Sequence, residues 1–181
     1  MIRIKNTFET MIVQLAEGTI KTKYGTYREI LFYDGIKESH ALVMGDVKEG
    51  EEVLCRVHSS CVFAHHFNSI ECDCREQMEI SQQLIERAGK GIVIWLEQEG
   101  KGNGHYALLN TLPLKKEGMP QAEAYEAVGF QKDNRDFSAA AKILKHLEVT
   151  SITMITGNKK KTETLTRYGI TVSGIQPTVL D

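Results

Sequence analysis

EISQQLIERAGKGIVIWL, residues 79–96, carries two periodicities in succession. In its first half Ile80, Leu84, Ile85 and Ala88 share one stripe, because steps of three and four return to the same face of a helix. Gly89 ends the stripe, as a residue that enters the left-handed conformation without steric cost should. GIVIWL is then a short unbroken apolar run, the pattern of a buried strand. A helix feeding straight into such a strand is the repeating half of a βαβ unit.

The alternation continues downstream, with helical patterns near 121–127 and 138–147, the strand SITMIT, and a helix from about Lys159 to Tyr168. Upstream the pattern is different. TMIVQLAEG, GTYREILFYDG, SHALVMGDV and EEVLCRVHS are β-rich segments punctuated by glycine, which predicts an antiparallel meander or small barrel. There is no internal repeat or linker. The expected architecture is α/β (α+β), in which a β-rich part over 1–59 joins a mixed or parallel sheet flanked by helices over 60–181. One compact domain and one core are expected across 1–181.

Composition excludes several classes. No apolar run approaches the roughly 20 residues of a membrane span, and MIRIKNTFET has no secretory h-region. A net charge of −2 and a pI near 6.3 argue against a nonspecific nucleic-acid binder, which would be strongly basic. Four cysteines, three of them clustered, fit a reducing cytoplasm and metal binding better than a disulfide framework.

That cluster is SSCVFAHHFNSIECDCREQ, residues 59–77. Cys61, Cys72 and Cys74 bring soft donors together in a short span. Three protein ligands leave one position of a tetrahedral zinc open for chemistry, whereas structural zinc usually has four. Two alternatives stand beside this reading: His65 or His66 as a fourth ligand, and three reduced thiols without metal. Cys55 alternates with Val53 and Val57 on one strand face and reads as a small buried hydrophobe.

Three loops are the other candidates. EQEGKGNGH, 97–105, sets three glycines around Lys101 after GIVIWL, where backbone N–H groups and an ammonium can approach a phosphate; a flexible surface turn fits the same residues. GFQKDNRDF, 129–137, places Asp133 and Arg135 before a helix, either as a base and an anion-binding fork or as solvated charges at a cap. ITGNKKKTETL, 155–165, puts Thr156 at a strand end and three lysines at a helix start that favours anions, although a lysine run is ordinarily a solvated face.

Taken in order, RVHSSC, CDC, QEG, GF followed by DNRDF, and TGNKKK resemble the motifs of the GTP cyclohydrolase II family, over about Leu54 to Val172. The resemblance implies zinc on Cys61, Cys72 and Cys74 and a water that attacks C8 of a guanine ring, with formate released after ring opening. It implies that Arg135 contacts or attacks the α-phosphorus as pyrophosphate departs, and that Asp133 is a general base. Arg56, Val57, His58, Ser59, Ser60, Gln77, Glu99, Gly100, Lys101, Thr156 and Lys161 match positions that hold base, ribose or triphosphate. Magnesium on the phosphates, a GTP substrate, riboflavin synthesis and a homodimer are implied as well. Thiolate ligands leave zinc with a net charge of about −1, so an added base is useful.

The chain also departs from the family. Lys101 replaces an arginine and loses its planar fork; Ser60 replaces a glutamate; Ala64 and His65 replace Gly-Asp. The family's catalytic tyrosine falls on Leu112 in ungapped register, with Tyr106 out of register. Leucine cannot donate a hydrogen bond. Two further functions therefore stand beside the first: a same-scaffold enzyme acting on another heterocycle, such as a uracil-type nucleotide, and a nucleotide-binding protein with structural zinc.

Overall fold

A computed structural model describes residues 12–179. Seven strands form one sheet in the order β1 (Val13–Thr22), β2 (Gly25–Tyr33), β3 (Glu38–Met44), β5 (Gly91–Leu96), β4 (Val53–Ser59), β6 (Ser151–Ile155), β7 (Thr171–Gln176). The first three run antiparallel, β3 and β5 pair antiparallel, and β5, β4, β6 and β7 are mutually parallel. The mixed α/β sheet is thus as the alternation of patterns predicts, and the meander covers β1–β3. Thr10 and Met11, with the N-terminal segment read for a leader, lie outside the described residues.

EEVLCRVHS is the exception. This stretch does not extend the meander; β4 sits in the middle of the sheet with parallel neighbours on both sides. Its residues explain why. Val53, Cys55 and Val57 are buried in the main core, while Arg56 and His58 on the other face are also buried. A strand covered on both faces belongs at the centre of a sheet. Cys55 is a core residue, and burial pushes its thiol up to about 12.

Helices cover both faces. Ile143 and Leu144 of α5 (Ser138–His146) and Leu165 of α6 (Lys159–Arg167) pack with Ile92, Ile94 and Ile152. On the opposite face Ile85 and Leu84 of α2 (Cys74–Ala88) meet Tyr27, Val93 and Ile155. Gly89 ends α2 at φ 67°, as the helix-to-strand reading required. No helix among the described residues is long and apolar enough to cross a membrane.

The topology positions the site. Because β4, β5 and β6 are parallel, their carboxyl ends lie at one edge, and the segments 60–61, 97–102 and 156–161 leave the sheet side by side. Ligands of open α/β sheets bind in the crevice at that edge.

Candidate functional site

The cysteines converge as their spacing predicts. Cys61 follows β4 and caps the short helix α1 (Val62–His66), and Cys74 opens α2. Arg75 clamps the two helices by donating from Nε to the Ala64 carbonyl at 2.8 Å and from Nη2 to the His65 carbonyl at 3.1 Å. The three sulfurs all lie within 4.8 Å of one another, with Cys61 and Cys72 3.6 Å apart. Tetrahedral zinc with Zn–S bonds of about 2.3 Å requires sulfurs about 3.8 Å apart, so the trio fits such an ion.

Protonation points the same way. A hydrogen bond from Cys74 brings the Cys61 thiol down to about 6 against the opposing effect of burial. The same bond, followed by burial, raises Cys74. Thiolate is the form that binds metal, and a divalent cation removes the competition among adjacent sulfurs. Among the described residues no histidine joins this group. His65 uses Nδ1 on the Cys61 carbonyl at 2.9 Å and packs edge-on to Trp95, and His66 is exposed.

The sulfurs lie in a cleft of about 250 Å³ that is also rich in cations, with Arg56, Lys101, Lys115, Arg135 and Lys161 all lining it. Arg56 donates to the Ile155 carbonyl at 3.0 Å and to Gln77 Oε1. Lys161 donates to the Val57 carbonyl at 2.7 Å. Phe137 underlies Arg135 and Lys161, its ring centroid 5.6 Å and 5.8 Å from their cationic groups. The triple lysine therefore divides: Lys159 and Lys160 are solvated, while Lys161 is 5% exposed and faces the cleft.

The loops that supply these groups are laced together. The Gln98 side chain donates to the Asp136 carbonyl at 2.6 Å and accepts from its N–H at 2.7 Å, and Asn134 N–H donates to the Lys101 carbonyl at 2.9 Å. Ser60 accepts from the Gln98 N–H at 2.9 Å through its hydroxyl. Gly102 has φ 82°, and a Cβ there would lie 2.6 Å from the Asn134 carbonyl oxygen. Gly102→Ala should therefore push the 129–137 segment and Arg135 out of place. We expect a loss of stability of at least about 1 kcal/mol from the left-handed backbone alone, read by urea unfolding.

Arg135 and Asp133 hold each other: Nε donates to Oδ1 at 2.9 Å and Nη2 to Oδ2 at 2.7 Å. Lys160 lies 3.4 Å from the same carboxylate. Burial alone would raise Asp133, but the hydrogen bonds and charges of Arg135 and Lys160 outweigh it and hold the carboxyl well below its ordinary range.

His58, Ser59, Ser60, Gln77, Glu99 and Gly100 line the cleft with the three cysteines and the cations. Three expected residues do not. Val57 lies in the core and reaches the site only through its carbonyl. Thr156 is buried and accepts from the Asn158 N–H. Asp133 stands behind Arg135. Conversely, Phe63, Leu108, Lys115, Gln121 and Tyr125 line the cleft without a sequence signal that singled them out. Most come from α3 (His105–Lys116) and α4 (Gln121–Ala127). Leu112 does not line the cleft, and Tyr106 is 74% exposed.

A carboxyl-edge cleft lined by three convergent thiols and several cations has the donors that could hold a soft metal ion and the charges that could hold an anion. The sequence profile of the GTP cyclohydrolase II family matches residues 13–177, and the chain belongs to that family. Riboflavin biosynthesis protein RibBA of Bacillus mycoides is 38% identical over 175 residues, covering 96% of this chain and 44% of that protein. RibBA of Phocaeicola vulgatus is 39% identical over 167 residues, covering 91% of this chain and 41% of that protein. The chain thus spans less than half the length of these relatives. Among solved structures, RibBX, a two-domain 3,4-dihydroxy-2-butanone 4-phosphate synthase from A. baumannii, shares the fold with a TM-score of 0.55 at 16% identity, covering 94% of this chain and 41% of that one.

Proposed function

We propose that this chain is a zinc-dependent hydrolase that opens the imidazole ring of GTP with loss of formate and pyrophosphate. The observation that carries the reading is the meeting of Cys61, Cys72 and Cys74 with Arg135 and Lys161 across one cleft. When bound, zinc on those sulfurs would supply Lewis acidity for the addition of water to the ring.

The chain's own residues have separable tasks. Arg56, Lys101 and Lys161 receive the triphosphate, whose remaining charge magnesium would help to neutralise when bound. Arg135 presents its guanidinium to the α-phosphoryl group. A carboxylate held so firmly ionised is a weak base, so we assign Asp133 to holding Arg135 in orientation rather than to accepting a proton. Glu99 accepts from the Val62 N–H at 2.7 Å and from the Gly100 N–H at 3.1 Å, which fixes it beside the sulfurs as an acceptor toward the base. We extend the reading to one domain over 1–181, a homodimer and a reducing cytoplasm; the free state of all four cysteines supports the last.

Zinc-loaded protein incubated with GTP and magnesium tests this directly. Formate and pyrophosphate should appear in equal amounts. If neither forms while a family member run in parallel yields both, the reading is wrong. Displacement of Asp133, Val57 and Thr156 from the cleft and the loss of the family's tyrosine favour an altered substrate as the second reading. A panel of other nucleotides, read by mass spectrometry, separates the two.

Lys161 supplies a further expectation. Burial first, then the charges of Arg56 and Arg135, bring its ammonium down to about 7. A triphosphate placed against it stabilises the charged form and raises its pKa again. Above about pH 7 nucleotide binding should therefore take up a proton, seen by calorimetry in buffers of different ionisation enthalpy. Binding without proton uptake would take Lys161 out of phosphate contact.

A further inference from the structure

Tyr125 is one of the polar groups in the cleft that the proposed mechanism leaves unused. It sits on α4, is 1% exposed, and is wedged against Ala107 and Leu108 with Phe63 and Phe130 alongside. The ring is thus fixed by packing. Its hydroxyl has no hydrogen-bond partner among the described residues, yet it is not one of the polar atoms sealed from solvent, and Tyr125 lines the cleft.

Its position is constrained from the other side by Gly100, where a Cβ would come within 3.2 Å of the phenolic oxygen. Burial holds the phenol's proton on, reinforced by the nearby charges of Glu99 and Cys61 and opposed by that of Arg135. The same cleft is lined by the three cysteines and by Arg135. A buried phenol without a protein partner, held rigidly and opening into a cleft, is organised to meet a group that enters the cleft.

We infer that Tyr125 donates a hydrogen bond to the nucleotide's ring at the carbon-opening step, a role that position 112, outside the cleft, does not fill. This rests on the proposed ring opening and deepens it. The donor comes from α4 rather than α3, and it reaches the ring from beside Gly100. Its neutral state across the physiological range suits it to donation rather than to proton abstraction.

Tyr125→Phe removes the hydroxyl and keeps the ring, so packing against Leu108 is preserved. With GTP and magnesium, the zinc-loaded variant should lose about 10²–10⁴-fold in kcat for formate release, the range for one positioned proton-handling group, with KM changed less than about threefold. A variant with unchanged kcat, or one whose loss lies wholly in KM, overturns the inference while leaving the ring-opening reading intact. A second measurement does not depend on turnover. In protein labelled at the tyrosine ζ-carbon, GTP with magnesium should shift the one resonance that Tyr125→Phe lacks. If the parent protein releases no formate, the ring-opening reading falls and this resonance decides whether the phenol contacts the nucleotide. An unmoved resonance overturns the contact.

Discussion

Cys72→Ser protein should be isolated with less than about a tenth of the zinc of the parent and should release no formate from GTP. A serine hydroxyl is a poor ligand for a soft site that selects thiolate, and the two remaining sulfurs cannot hold the ion in three-point geometry. Loss of an outer partner alone commonly costs 10–100-fold in metal affinity, so removal of a direct ligand should cost at least about 100-fold. The fold should survive. Cys72 lies on the segment between α1 and α2 and belongs to none of the three apolar clusters that make up the core. Its sulfur is 3.6 Å from that of Cys61 and is only partly buried. Elemental analysis gives the metal content and thermal unfolding gives the stability. A variant retaining full zinc removes Cys72 from the site; one that unfolds on metal loss makes the ion structural and sinks a catalytic role.

Arg135→Ala should abolish pyrophosphate release, by a factor of at least about 10³, the lower end of what a phosphate-directed arginine contributes in phosphoryl transfer. No other side chain in DNRDF carries a planar fork. Lys161 and Lys160 remain nearby, but an ammonium offers a point charge without bidentate geometry. The substitution also strips Asp133 of two hydrogen bonds, at 2.9 Å and 2.7 Å. Its carboxyl should then move back up toward the ordinary range. Asp133→Asn separates the two roles of the pair. If Asp133 only orients the arginine, the variant keeps part of the activity and the acid limb of the pH profile stays in place. If it accepts a proton, the limb disappears. Pyrophosphate release by Arg135→Ala at the parental rate would remove the guanidinium from the reaction.

Much of this site is legible in the chain because its chemistry comes in short segments. RVHSSC, CDC, QEG, DNRDF and TGNKKK each follow a strand or precede a helix, so local patterning places them at element ends. The helices near 121–127, 138–147 and 159–168 come within a residue or two of α4, α5 and α6. The helix α3 is absent from the sequence reading; it starts at His105 directly after a glycine-rich loop and holds Pro113 inside it, a residue that ordinarily interrupts a helix. Its face toward the cleft is set by packing on α4, and the contribution of Lys115, Gln121 and Tyr125 followed it into obscurity. The partnership of Arg135 with Asp133 was equally hidden, because proximity in sequence does not say whether two charges meet each other or a ligand.

By itself the order of residues determined the α/β alternation, the trio of sulfur donors and the cationic segments, because periodicity and ligand chemistry are local properties. The fold alone decided that β4 is central rather than the fourth strand of a meander, that Lys161 is buried while its two neighbours are solvated, and that Tyr125 enters the cleft while Tyr106 faces outward. Each of these depends on which faces are covered by elements distant in the chain. Burial is a property of the assembled layers, and no window of sequence contains it.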